Sequence, residues 1–184
     1  AMDSGVARTN ITDWEEYGLE LARRIGNDNT ISKIIETKAK QDPKRVVFVD
    51  AENLGVLKAA VIVLDEKIAH PILLGNRKRI EALMEENEIV LPGVPIINPQ
   101  IPENEAQEQT HLHYSEKLYE KRKRKGMTMQ EAKDFMRSRS YYGAMMVENG
   151  DADAMIGGLT KKYPYTVRPA LQIIGPKPGV SKVA

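Results

Sequence analysis

Apolar runs and amphipathic segments alternate between residues 46 and 97. The runs 46–49 and 71–75 lack a polar alternation, which predicts two strands that are covered on both faces. Segments 54–66 and 77–88 carry apolar residues at helical spacing and predict amphipathic helices. With a third short strand at 94–97, this order predicts an α/β fold with a mostly parallel sheet and right-handed crossovers.

A polar stretch interrupts this pattern before the helical period returns. Residues 99–115 contain prolines and many Gln and Glu residues, and they predict a loop or an irregular start of a helix. Residues 114–125 predict a regular helix. Residues 128–149 predict one further helix, which opens with Thr128 as N-cap and Glu131 as its capping-box partner.

The last third of the chain predicts one more strand and one more helix. The short apolar run 154–156 ends in Gly157 and Gly158, which is typical of a strand that opens into a glycine-rich turn. The helical period returns near Thr166. Open α/β sheets bind ligands at turns of this kind.

Two helices are predicted ahead of the sheet. The first begins at Thr12, with Glu15 as its capping-box partner, and the second spans 29–40. We therefore expect a helical connector within residues 1–44 and a main domain over residues 45–184.

Composition excludes several classes of function. The 184 residues contain 27 basic and 26 acidic side chains, so the overall charge favours neither nucleic acid nor an anionic membrane as a partner. The chain has no cysteine, which excludes disulfides, thiolate zinc sites and cysteine nucleophiles, and which fits a reducing cytosol. Without a membrane-length apolar run or a signal peptide, the sequence predicts a cytoplasmic protein.

Both ends of the sequence also carry information. It begins at Ala1 rather than at an initiator methionine, and it stops just after residues 179–182, where an apolar segment begins. We therefore expect this sequence to be a piece of a longer chain.

The basic run 121–125 is the most concentrated charge in the sequence. On a helix its five side chains cannot all face one side, so at most two or three could converge on one anion. One interpretation is a solvated helix end, where cations favour the helix dipole. The other is that a single arginine of the run binds a phosphate.

The turn after the last strand offers a second group of candidate residues. Gly157 and Gly158 lead to Thr160 and Lys161, but the pattern is neither a Walker loop nor a dinucleotide fingerprint. Further on, backbone donors at a helix start and the guanidinium group of Arg168 could hold a phosphate. The alternative is a capping Thr166 beside a surface arginine.

Two other groups of polar residues carry weaker hypotheses. His111 and His113 have no partner at metal-ligand spacing, so a structural role is the better interpretation and no metal site is predicted. Asp50 and Glu52 follow the first strand, where carboxylates could act as acid or base. Turn formation and helix capping is the preferred interpretation for this pair.

Several segments, in order, resemble the phosphate acetyltransferase family from residue 45 to the end. They are 46–48, 57–60, 68–76, 123–128, 150–155, 166–174 and 177–182. The start of the chain, 1–8, is similar to the end of the catalytic module in large bacterial malic enzymes that carry such a domain behind it.

The resemblance implies a three-layer α/β/α fold of the phosphate acetyltransferase-like, isocitrate/isopropylmalate dehydrogenase-like kind, cut short here, and a homo-oligomer, dimeric or larger. It also implies binding of acetyl-CoA, with Arg122 and Arg168 at the positions of the family's anion-binding arginines. Together with the turn residues, this predicts an acetyl-CoA or phosphate site made by Arg122, Arg168, Thr160, Lys161 and Thr166, with no catalytic residue among them.

The chain departs from the family at one segment. Active transferases have a serine-rich stretch before the second arginine, whereas residues 161–165 are Lys-Lys-Tyr-Pro-Tyr, which removes hydroxyl donors and adds bulk. The later serine, arginine and aspartate of the transferase site would lie beyond this sequence. The NADP site, the divalent metal and the catalytic residues of a malic enzyme would precede it, so we do not expect the chain to oxidise malate by itself.

Three hypotheses follow from the resemblance. The first is a regulatory domain that binds acetyl-CoA as a small-molecule effector and acts on a malic enzyme catalytic module in cis. The second is an active phosphate acetyltransferase. The third is a structural domain that only dimerises and has lost ligand binding, which would fit an Arg122 that points into plain solvent.

Overall fold

The computed structural model of the chain describes residues 13–14, 28–177 and 179. These residues belong to two units, one that ends at Gln41 and one that starts at Asp42. In the first unit, helix α1 (Asp28–Gln41) confirms the helix predicted at 29–40. The capping box predicted at Thr12 lies outside the described residues.

The described part of the second unit alternates strands and helices. In chain order the elements are β1 (Lys44–Phe48), α2 (Leu54–Asp65), β2 (Ala69–Leu74), α3 (Arg77–Glu86), β3 (Ile96–Ile97), α4 (Glu105–Arg122), α5 (Met129–Met136), α6 (Arg139–Asn149), β4 (Ala154–Ile156) and α7 (Tyr163–Ile173).

The four strands form one parallel sheet in the order β3-β2-β1-β4. Val47 of β1 lies opposite Ile72 of β2 on one side and opposite Met155 of β4 on the other. The chain thus moves outward from β1 through β2 to β3, and then returns to place β4 on the other side of β1. The strand order reverses between β1 and β4.

Alternate residues of β1 and β2 enter two different cores. Val47 and Leu74 belong to a buried cluster that includes residues of α4, α5, α6 and α7. Phe48 and Leu73 belong to a second cluster, with Leu57 of α2 among others. Helices therefore cover both faces of the sheet, which confirms the predicted α/β fold with three layers.

Helix α4 begins nine residues earlier than the sequence pattern indicates. Asn104 is its N-cap, and the Asn104 side chain accepts a hydrogen bond from Gln107 N at 2.9 Å. Glu105 and Glu108 add negative charge to the first turn, which favours the positive end of the helix dipole. Of the two alternatives predicted for 99–115, the loop holds only as far as residue 104, and a helix start is the outcome from Glu105 onward.

The helix predicted over 128–149 is two helices. Thr128 and Glu131 form the predicted capping box, with Glu131 N donating to Thr128 Oγ1 at 3.2 Å. The helical conformation is then interrupted at Ser138, which has an extended conformation (ψ 124°). The break lets α6, which is buried at every residue from 141 to 146, pack independently of α5.

No helix in the described part of the chain is both long and apolar enough to span a bilayer.

Leu73→Ala should lower the free energy of unfolding by about 2–5 kcal/mol, because the Leu73 side chain is 0% exposed and its removal leaves a cavity between β2 and the adjacent helices. Urea unfolding measures the change. Ile62→Ala on α2 is the control, since Ile62 is 56% exposed. An equal loss in both variants would contradict the assignment of Leu73 to a core.

Candidate anion-binding site

The carboxyl ends of β1 and β4 adjoin at the point where the strand order reverses. The turn at 49–53 leaves β1 there, and residues 157–162, here called the switch-point loop, leave β4. Open α/β sheets bind ligands in the crevice at such a position.

Asp50 holds the switch-point loop against the end of β1. Its carboxylate is 4% exposed and accepts hydrogen bonds from Gly158 N at 2.8 Å, from Leu159 N at 3.0 Å and from the Thr160 hydroxyl. Burial raises the pKa of Asp50, but the hydrogen bonds from these three residues lower it by more, so the net shift is downward. Asp50 is therefore an ionised residue that anchors the loop. Its carboxylate is engaged in these hydrogen bonds and is not available to act as a general base.

Two glycines let the loop approach β1 this closely. A Cβ atom on Gly157 would lie 3.0 Å from Cβ of Val49, a branched side chain with no room to move. Gly158 has φ +114°, a conformation that side chains with a Cβ rarely adopt.

Glu52 ties a different set of elements together. It accepts a hydrogen bond from Asn76 N at 2.8 Å and lies 3.5 Å from Arg79 and 3.4 Å from Arg139. Asp50 O accepts from Asn53 N at 3.0 Å, so the predicted turn is present. The predicted capping role is wrong, because the side chains of Asn53 and Asn76 cap α2 and α3.

Two polar atoms, one on α4 and one on α7, are buried without a hydrogen-bond partner among the described residues. They are Nε of Arg122, at the end of α4, and Oγ1 of Thr166, in α7. Thr166 faces the loop, because a Cβ atom on Gly158 would meet its Cγ2 at 3.4 Å. An unpaired buried donor costs free energy, which a ligand with acceptor oxygens would recover.

Arg122 and Arg168 both influence the pKa of the same side chain, that of Tyr141. Burial raises the pKa of the Tyr141 hydroxyl, while the charges of Arg168 and Arg122 oppose this rise. Tyr141 also donates to Gln172 Oε1 at 2.7 Å, which links α6 to α7. The two arginines, far apart in sequence, therefore both lie on the side of the fold where Tyr141 is buried.

The other cations of the basic run have ordinary surroundings. Lys121 pairs with Glu148, and Lys123 pairs with a glutamate one turn earlier. The 3₁₀ turn Lys123–Lys125 is exposed. Arg122 is thus the member of the run that turns inward.

Lys161 is a partly buried cation that makes no hydrogen bond or ion pair with any described residue. Burial lowers its pKa, the neighbouring charge of Arg139 lowers it further, and Asp50 acts in the opposite sense. The Arg139 side chain is 23% exposed, and among the described residues its one ion-pair partner is Glu52, at 3.4 Å. The positive charges of Lys161 and Arg139, which nearby carboxylates neutralise only in part, thus lie on the same side of the crevice.

The predicted site residues fall in two adjacent groups. Thr160, Lys161 and Thr166 lie at or against the switch-point loop, and Arg122 and Arg168 lie beside Tyr141. The Thr160 hydroxyl is already bound to Asp50. Thr166 is inside α7, which starts at Tyr163, so the interpretation of Thr166 as a helix cap is wrong.

Arg139 belongs with these residues, although sequence patterns do not single it out. It stands in a run of arginines and serines that resembles an ordinary polar surface. The interruption of the helix at Ser138 is what turns Arg139 toward Glu52 and Lys161.

His111 has a structural environment. Its Nε2 lies 3.2 Å from Pro99 O, and burial lowers its pKa. Within the described residues there is no cluster of three or more histidine, aspartate or glutamate side chains that could hold a metal ion.

Taken together, the crevice offers cations and unpaired donors that suit a phosphate or another oxyanion. A guanidinium group can bind phosphate through two donors, and a partly buried lysine contributes a point charge. Arg168 also lines an open groove of about 380 Å³ with the apolar Val167 and Leu171. A ligand with both anionic and apolar parts fits this combination.

Comparisons with known proteins agree on the family. The family model described as Phosphate acetyl/butaryl transferase matches residues 30–184. A phosphate acetyltransferase of Acetivibrio thermocellus is 38% identical over 154 residues, which cover 84% of this chain and 44% of that protein. An NADP-dependent malic enzyme of Rhizobium meliloti is 31% identical over 183 residues, which cover 97% of this chain and 23% of that protein.

Solved structures show the same likeness. A phosphotransacetylase from Streptococcus pyogenes superimposes with a TM-score of 0.73 and 27% identity, over 84% of this chain and 45% of that one. The chain thus spans less than half the length of these relatives.

Asp50→Asn should lower the free energy of unfolding at neutral pH by about 1–3 kcal/mol, because an amide accepts these hydrogen bonds less strongly than a carboxylate. Since the folded-state pKa of Asp50 is lowered, its stabilisation is present above the ordinary value of 3.8 and is lost as pH falls through the folded value. The difference between wild type and variant should therefore shrink below about pH 4.

Urea unfolding at a series of pH values measures this difference. Asp65→Asn is the matched control, because Asp65 is exposed at the end of α2. A difference for Asp50→Asn that stays constant down to pH 2 would contradict an ionised anchor.

Proposed function

The chain belongs to the Phosphate acetyl/butaryl transferase family, and we propose that it is the acetyl-CoA-binding, regulatory module of a malic enzyme. The parent reaction would be the oxidative decarboxylation of malate to pyruvate with NADP. A catalytic module in cis would hold the NADP and a divalent metal, and residues 1–44 would join that module to this one. We place the whole protein in the cytoplasm.

The pair of unpaired buried atoms supports the ligand-binding part of this proposal. Arg122 Nε and Thr166 Oγ1 lack partners among the described residues, and Arg168 and Lys161 supply charge nearby. The phosphates of acetyl-CoA would satisfy these donors, and its apolar arm would suit the groove along α7. The partly buried position of Arg122 also counts against a domain that serves only for dimerisation.

The malic enzyme part rests on the similarity to NADP-dependent malic enzymes over nearly the whole chain. The Rhizobium meliloti malic enzyme aligns with 97% of the chain, which includes most of the residues ahead of Asp42. The phosphate acetyltransferase of Acetivibrio thermocellus aligns with 84%. A phosphate acetyltransferase of Nitratidesulfovibrio vulgaris aligns with 94% of the chain, so the helical connector fits a parent of either kind.

An active phosphate acetyltransferase is the second candidate, and the similarity to the Acetivibrio thermocellus enzyme favours it. Acetyl transfer between coenzyme A and phosphate needs polar groups close to the reacting carbonyl. Here the Thr160 hydroxyl is bound to Asp50, and Tyr163 and Tyr165 are 65% and 67% exposed in the segment that carries serines in active transferases. These features favour binding without transfer.

Inhibition of the parent enzyme by acetyl-CoA requires only that two states of the protein bind acetyl-CoA with different affinities. If acetyl-CoA binds one assembly state of a homo-oligomeric parent more tightly than another, it shifts the population toward that state. A crevice made by a loop and by the first turns of α6 and α7 would register such a difference, because small rearrangements of those turns change the spacing of its cations.

Arg122→Gln and Arg168→Gln should each weaken acetyl-CoA binding by about 10- to 100-fold, because each removes a charged donor worth about 1.5–3 kcal/mol. Calorimetric titration of acetyl-CoA measures the affinity. Arg124→Gln is the control, since Arg124 belongs to the same basic run but is exposed.

A second assay separates sensing from transfer. We expect the domain to bind acetyl-CoA without any detectable coenzyme A-dependent formation of acetyl phosphate. Turnover would replace the regulatory proposal with the transferase, and equal affinities in all three variants would contradict the assignment of the arginines.

A further inference from the structure

Two hydrogen-bonding side chains lie one turn apart on the groove face of α7. Arg168 and Gln172 both line the groove of about 380 Å³, whose other lining residues include the apolar Val167 and Leu171. Residues four apart share one face of a helix, with their Cβ atoms about 5–6 Å apart. The groove thus presents a cation and, one turn further along α7, an uncharged amide.

The amide of Gln172 has a defined orientation. Its Oε1 accepts a hydrogen bond from the Tyr141 hydroxyl at 2.7 Å. Tyr141 is 6% exposed and stacks on Phe135 of α5, with the ring centroids 4.5 Å apart. A buried phenol needs a hydrogen-bond partner, and Gln172 supplies it. The packing around Tyr141 therefore determines which end of the Gln172 amide is occupied within the fold.

The other end of this amide is available to a ligand. Gln172 Nε2 carries two N–H donors and makes no hydrogen bond within the part of the chain that the structure describes. The side chain is half-buried, and Nε2 does not belong to the polar atoms that are shielded from solvent. A donor that is fixed on one side and open on the other suits recognition of a carbonyl oxygen.

We propose that Gln172, positioned by Tyr141, is a specificity-determining residue that donates to an amide carbonyl in the pantetheine arm of acetyl-CoA. This inference rests on the proposed binding of acetyl-CoA, and it names the part of the ligand that the groove along α7 recognises. Arg168 would bind a phosphate, and Gln172 would bind the arm.

The chemistry of the arm requires such a donor. Between its phosphates and its thioester, acetyl-CoA carries two amide groups separated by short hydrocarbon segments. The hydrocarbon parts suit an apolar groove, but a buried amide carbonyl costs free energy unless it accepts a hydrogen bond. The uncharged donors in the described groove lining are the Gln172 amide and the Tyr163 hydroxyl. Tyr163 is 65% exposed, and no described residue orients its hydroxyl.

This contact would separate acetyl-CoA from smaller ligands. Acetyl phosphate has an anionic group for Arg168 but no amide, and ADP has the diphosphate of the coenzyme without the arm. Both would leave the Gln172 donors unused. Gln172 would thus select for the complete coenzyme over other anions that the crevice attracts.

The first test observes the Gln172 side chain by NMR of the isotope-labelled wild-type chain. The Nε2–H₂ signals of Gln172 are assigned through its own backbone resonances. Acetyl-CoA should shift these signals, because a new acceptor changes the environment of the donors. ADP and acetyl phosphate, added separately at the same concentration, should leave them in place.

The second test is calorimetric titration of acetyl-CoA. Gln172→Met, which keeps the length of the side chain but removes the amide, should weaken binding by about 3- to 10-fold, the loss of one uncharged hydrogen bond. Tyr163→Phe is the control in the same groove and should bind as tightly as wild type. Thermal unfolding checks that each variant folds.

Tyr141→Phe tests the positioning. It keeps the Gln172 donors but frees the amide to rotate, so acetyl-CoA binding should weaken by about 2- to 3-fold. In the Gln172→Met background the same change should have no further effect, because no amide remains to be positioned. Additive losses would show that Tyr141 acts on binding in another way and would overturn its positioning role.

Shifted Gln172 signals with acetyl-CoA alone, together with weaker binding by Gln172→Met, support the inference. If acetyl-CoA binds wild type but the signals stay in place, or if folded Gln172→Met binds equally well, the contact is wrong and the proposed function stands. An equal shift with ADP also overturns the contact, because it shows a general rearrangement of α7. Failure of acetyl-CoA to bind the wild-type chain overturns both.

Discussion

The hydrogen bonds that Asp50 accepts hold the functional end of this domain together. A carboxylate that is 4% exposed must recover its lost hydration, and the amides of Gly158 and Leu159 with the Thr160 hydroxyl do this. The same bonds join the ends of β1 and β4 where the strand order reverses. The positions of Lys161 and of the start of α7 depend on this anchor.

Around the anchor, the fold collects cations without pairing them fully. Within the part of the chain that the structure describes, Arg139 pairs only with Glu52, Lys161 has no hydrogen-bond or ion-pair partner, and Arg122 Nε is buried without a partner. Partly buried charges and unpaired donors reduce the stability of the folded state. A bound anion would offset this cost, so the free energy of ligand binding and the stability of this region should be coupled.

The sheet could be predicted from sequence because its signal is local. The apolar runs around Val47 and Leu73 are long enough to indicate strands buried on both faces, and the glycine pair after Ile156 indicates the end of the last strand. The start of α4 also had a local signal, since Asn104 is followed by Glu105 and Glu108. That signal is outweighed by prolines and by a polar surface that buries few residues before Tyr114.

The candidate site could be predicted only in part. Arg168 and Arg122 come from the resemblance to a known family, and Lys161 and Thr166 from their place near a glycine turn. The break at Ser138 contains neither glycine nor proline, so it follows from packing of the buried α6 rather than from propensity. Without that break, the contact of Arg139 with Glu52 and the charge environment of Lys161 cannot be anticipated.

The most direct test of a sensor is malate oxidation by the complete parent protein, with and without acetyl-CoA, in wild type, Arg168→Ala and the exposed-site control Arg124→Ala. We expect inhibition by acetyl-CoA in wild type and in Arg124→Ala, and loss of that inhibition in Arg168→Ala with the basal rate unchanged. Absence of inhibition in the wild-type protein would contradict it.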